Sequence, residues 1–163
     1  MLEVIIAILT ITAFLTGTLQ LMAVDALYRV RAERQARANF WIQKDFEDVK
    51  YLASNVDTKF VSSDVCTNIN QGYATALRRQ LTDTPPPADP PKEKLEATEE
   101  IVGKKYSLYR TFDITNQSNN PHRLRIDYRV EAKDQTPKDY PNQENVIAKS
   151  SVEVIPDASF NCP

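Results

Sequence analysis

One stretch near the start restricts this chain more than any other. Residues 4–24, VIIAILTITAFLTGTLQLMAV, carry no charge. As a helix rising about 1.5 Å per residue, they span roughly 31 Å, the thickness of one hydrocarbon core. The run is longer than a signal-peptide apolar region, no basic residue precedes it, and no Ala-x-Ala-like cleavage site is evident. A retained apolar helix is therefore expected. The rest of the 163 residues are enough for one compact head.

Orientation sets two signals against each other. The first basic residues, Arg29, Arg31, Arg34 and Arg37, follow the span, which by the positive-inside bias places the head in the cytoplasm. Two distant cysteines, Cys66 and Cys162, indicate an oxidising compartment instead. The two agree if a basic leader once preceded Met1 and was removed. Glu3 is the lone acid at the head of the apolar run. It either favours the helix N-terminus through the macrodipole, or it needs a partner once the chain is in lipid or in a bundle. The nearest candidate is an N-terminal ammonium, its own or a neighbour's.

The helical pattern continues past the apolar run. Ile42, Phe46, Val49 and Ala53 form one stripe, widened by Trp41 and Leu52. Arg34, Arg37, Gln43, Lys44, Glu47, Asp48 and Lys50 form its solvated side. No proline interrupts residues 1–54, so a single helix near 75 Å long is expected. Three segments follow: an apolar membrane or filament-core helix over 1–26, an amphipathic continuation over 27–54, and a head over 55–163. Gly17, between two threonines, is the weakest point of the helix, since Gly costs about 1 kcal/mol relative to Ala. It serves either close helix packing or local unwinding.

The opening MLEVIIAILT resembles the mature N-terminus of type IV pilins and type II secretion pseudopilins. The resemblance covers residues 1 to about 54. It departs in lacking the leader and its glycine, and in having two residues before Glu3 where mature pilins usually have four. It implies that a leader peptidase and an assembly platform act on the chain. It implies a methylated N-terminus, here at Met1, and pairing of Glu3 with the N-terminal amine of an adjacent subunit. The chain would lie in the inner membrane and then enter an extracellular helical filament of identical or similar pilins.

Beyond Ser54, a second helix is expected near 67–82, where Ile69, Tyr73, Leu77 and Leu81 recur every four residues and Thr67 offers a cap. Pro85, Pro86, Pro87, Pro90 and Pro91 predict an exposed polyproline II linker over 84–92, with a Pro-rich ligand as the rival. Strands are expected over 105–115, 123–132 and 146–155, the last the weakest. Arg110 breaks the apolar row of the first. Asn119-Asn120-Pro121 and the stretch from Thr136 to Pro141 separate them. One apolar face per strand suits an antiparallel sheet laid on the spine helix, so the expected fold class is α+β.

Few residues carry chemistry. The net charge of −2 gives no general case for nucleic acid. A single His makes structural zinc improbable, and three glycines leave no phosphate loop. No cofactor, metal or catalytic set is expected. A Cys66–Cys162 bridge would close roughly 97 residues and stabilise by almost 5 kcal/mol at most in the chain-entropy model. Two free buried thiols are the alternative. Arg123, Arg125 and Arg129 with Arg78 and Arg79 either form a basic strip for DNA or polysaccharide or belong to a mixed-sign surface, given Asp127 and Glu131. Tyr106, Tyr109, Tyr128 and Tyr140 fit core and rim packing better than stacking of bases or sugars. His122 has no evident catalytic partner, and Asn116-Gln117-Ser118 matches a glycosylation acceptor by composition only. The function expected is a structural filament subunit. A minor pilin or secretion pseudopilin that primes assembly, binds DNA or aids secretion is the rival.

Overall fold

A computed structural model describes residues 2–115, 119–133 and 145–162. Eight elements follow one another, two of them short 3-10 segments. Helix α1 runs unbroken over Leu2–Ser54, about 80 Å long. A single 3-10 turn at Thr58–Phe60 leads to helix α2, Tyr73–Thr82. Four strands come next: β1 Glu93–Ile101, β2 Lys104–Asp113, β3 Leu124–Ala132 and β4 Val146–Val154. A closing 3-10 segment covers Asp157–Asn161. The strands form one antiparallel sheet in the order β1-β2-β3-β4. The chain is thus α+β, a long apolar-headed helix packed on an antiparallel sheet.

Strand periodicity explains how the sheet meets the helix. Successive side chains alternate faces, so Leu124, Ile126, Tyr128, Val130 and Ala132 of β3 point inward while Arg125, Asp127, Arg129 and Glu131 point out. Tyr106, Leu108 and Phe112 of β2 share the inner face. Against them pack Ala38, Trp41, Ile42, Val49 and Ala53 of α1 and Ala74, Leu77 and Leu81 of α2. Two amphipathic surfaces that cannot stand alone in water bury each other. Arg34 marks the near end of this contact: its Nη2 donates to Val102 O at 2.9 Å.

Two expectations need correction, and one strand was not expected. The second helix begins at Tyr73 and not near Thr67, because residues 64–72 turn upon themselves. Asn68 Nδ2 donates to Asp64 Oδ2, and Asn68 Oδ1 accepts from Asn70 N. Such side-chain bonds compete with helix formation. The α2 N-terminus is capped from afar: Tyr73 N donates to His122 Nδ1 at 3.2 Å and Ala74 N to Pro121 O at 3.0 Å. Gly72 permits that approach, since a Cβ there would lie 2.1 Å from Pro121 O.

Most of the proline segment is exposed, as expected, but it is not one extended rod. It turns at residues 86–87, contains a cis Pro86–Pro87 bond, and buries Pro90. Directly after it comes β1, a strand that the sequence pattern did not predict. A two-residue turn, Val102-Gly103, joins β1 to β2 with both residues at positive φ, 47° and 72°. That is the twist a tight hairpin favours, and a β-branched residue adopts it only under constraint. Val102 packs against the core, which supplies the constraint. Tyr140 and the stretch from Thr136 to Pro141 lie outside the described residues, as do Met1 and Asn116-Gln117-Ser118.

Candidate functional site: an unpartnered apolar rod

No residue in the first half of α1 is buried against the other described residues. In its most apolar 18-residue window no residue is buried, and the helix is long and apolar enough to cross a membrane. Leu9 is 65% exposed and Phe14 72%. An exposed apolar surface this long marks contact with lipid or protein.

The threonine hydroxyls within the rod are turned back onto it. Thr10 Oγ1 donates to Ile6 O and Ala7 O, Thr12 to Ile8 O, Thr16 to Thr12 O, and Thr18 to Leu15 O. The backbone is helical throughout, so beyond the first turn its N–H and C=O groups are paired within the helix. A rod with its hydrogen bonds satisfied internally can enter an apolar medium at little polar cost. Gly17 adds a notch. A Cβ there would meet nothing within 4 Å, so no other part of the chain exploits the missing side chain. Glu3 occupies the first turn and has no ion-pair partner among the described residues. At the other end Asp25 and Arg29 pair at 2.8 Å, one turn apart and exposed.

The second half of α1 is held by a charge pair that sequence reasoning missed. Asp45 is buried among the stripe residues, and Arg110 is buried within the inner face of β2. Arg110 Nε lies 2.7 Å from Asp45 Oδ2, and Nη2 2.7 Å from Oδ1, a bidentate fork. Its Nη1 lies 2.9 Å from Glu96 Oε2 as an ion contact. The β1 ladder skips from Leu95 to Ala97, and the bulge aims Glu96 at the pair. Burial disfavours the Arg110 charge, yet hydrogen bonding and attraction from Asp45, then Glu96, raise its pKa. Burial first, and the Asp45 charge second, push the Tyr128 hydroxyl well above its usual range. The signal was present in the sequence: one acid and one base, each in an otherwise apolar phase.

Cys66 and Cys162 are joined in a disulfide, Cα atoms 5.3 Å apart, that ties the C-terminal segment to the loop before α2. The five arginines do not form a basic strip, and the three on β3 and just before it share their face with carboxylates. Arg123 pairs with Glu153, Arg125 with Asp127 and Asp113, and Arg129 with Glu131 and Glu93. Arg78 and Arg79 are buried on α2. Burial lowers the Arg78 pKa, opposed by Asp89 and aided by Arg79. Tyr106 and Tyr128 are core residues, while Tyr109 holds the Arg129 guanidinium 4.7 Å above its ring. His122 caps α2. Among the described residues no cluster of three or more His, Cys, Asp or Glu could hold a metal ion. No family model, curated protein or solved structure matches the chain.

Proposed function

We propose that the chain is a structural subunit of a type IV pilus-like extracellular filament, assembled through its apolar N-terminal helix. One observation carries the reading: an apolar helix with no buried residue in its most apolar window extends without a break from a disulfide-linked head. Before assembly the rod rests in the inner membrane. On assembly it exchanges lipid for the rods of other copies, a move between two apolar surroundings that costs little. Glu3, the carboxylate at the head of the apolar run, then finds an amine on a neighbouring subunit and sets its axial position. Gly17 gives room for close rod packing or for local unwinding, and the head forms the filament surface.

A minor pilin or a secretion pseudopilin would use the same rod at low copy number. The arginine ion pairs on the outer sheet face leave little basic surface for a nucleic-acid role. The test is to shear surface filaments from producing cells, image them, and identify their subunits by mass spectrometry. The expected result is this chain as bulk subunit, with Glu3→Ala lost from filaments while the head still folds. A wild-type chain that remains a membrane-anchored monomer, with no filament or secretion assembly containing it, overturns the reading.

A further inference from the structure

The outer sheet face, turned away from α1, contains an open concavity of about 530 Å³. Thr111, Arg125, Asp127, Arg129, Lys149 and Ser151 line it. Cross-strand pairing sets them in rows: Thr111 opposite Asp127 opposite Ser151, and Arg129 opposite Lys149. The volume falls in the range of small-ligand sites.

Its polar groups are partly used and partly open. Asp127 Oδ1 accepts from Ser151 Oγ and from Arg125 Nε. Asp127 Oδ2 takes no hydrogen bond among the described residues, and Arg125 engages only through Nε. Arg129 is spent on Glu131, Glu93 and the Tyr109 ring. Lys149 has no ion pair among the described residues, though it stands directly opposite Arg129. Glu93 and Glu131 already balance the Arg129 charge, which leaves Lys149 Nζ as the unpaired cation of that row among the described residues.

The site therefore offers cationic donors, Lys149 Nζ and the Arg125 Nη atoms, close to one open carboxylate acceptor. A phosphodiester chain uses only donors and would meet the Asp127 carboxylate unfavourably. A simple anion leaves the acceptor idle. A carboxylate with hydroxyl groups on the same ring uses both kinds of group. We propose that this concavity binds a short acidic carbohydrate, with its carboxylate on Lys149, a ring hydroxyl donating to Asp127, and a ring oxygen accepting from Arg125. The proposal is independent of filament assembly.

Titration of the full chain in detergent micelles, followed by isothermal calorimetry, tests it with trigalacturonate, a glucuronate disaccharide and 3′-sialyllactose as probes. At least one should bind saturably. Lys149→Gln and Asp127→Asn should each weaken that binding by about tenfold, equivalent to roughly 1.4 kcal/mol. Lys44→Gln, exposed on α1, should leave it unchanged, and circular dichroism confirms that each variant is folded. Binding by none of the three probes overturns the proposal. So does equal binding of neutral galactotriose, or displacement by sulfate with Asp127→Asn binding as tightly as the parent.

Discussion

The two halves of α1 share one backbone and one set of helical hydrogen bonds, yet different forces determine what each does. No described residue before Ala38 is buried, so the surroundings of the apolar rod must come from outside the chain. From Arg34 to Ala53 the same helix is the floor of a core, held by apolar burial and by the Asp45–Arg110 fork. Helicity therefore says little about partnership. What differs is how polar groups are satisfied: in the rod by back-bonding threonines, in the second half by a charge on another element. A rod built the first way can change its surroundings without reorganising, and a floor built the second way cannot.

The largest effect that would sharpen this contrast is removal of the disulfide. Replacing both Cys66 and Cys162 by Ser should cost the head up to almost 5 kcal/mol in denaturant titration. Trp41, the sole Trp and buried in the floor, reports the transition by fluorescence. The helicity of the rod in micelles should not change. Next, Asp45→Ala leaves the Arg110 charge buried and should cost about 3–5 kcal/mol. The pair Asp45→Leu with Arg110→Met should recover most of that loss. Failure of the double variant to recover would mean that the fork does more than fill its site.

Gly72→Ala should cost about 1–3 kcal/mol, because the new methyl group meets the Pro121 carbonyl in the backbone. A smaller, pH-linked effect comes from Asp113. The Thr115 side chain and then its backbone N–H hold the Asp113 pKa below the usual value. Depressed in the fold, this carboxylate stabilises above about pH 4 and loses that contribution as acid protonates it in the folded state. Asp113→Asn should flatten the acid limb of a stability-versus-pH curve. The smallest effect is expected in the rod: Leu9→Ala should change head stability by less than about 0.5 kcal/mol while weakening assembly. A larger loss of head stability would break the contrast between the halves.

Particular residues show where sequence reading runs short. Strand β1 reads EKLEATEEI, rich in helix formers and exposed at the sheet edge, so neither propensity nor alternation marks it. Its surest trace was Gly103, which with Val102 makes a two-residue hairpin turn. The start of α2 was misplaced because its cap is His122 and Pro121, some 49 residues away for the pair with Tyr73. The outer-face concavity was equally hidden, since its residues come from three strands whose register the sequence does not state.

Taken alone, the sequence determined the unbroken helix, its apolar first half, the buried stripe beyond it and the alternation of β2 and β3. Those are short-range periodicities, set by the geometry of 3.6 residues per turn and two per pleat. Only the tertiary structure decided that Asp45 meets Arg110, that a distant loop caps α2, and that acidic β1 completes the sheet. Such pairings join residues far apart in the chain, and are selected when buried polar groups find partners that no local pattern specifies.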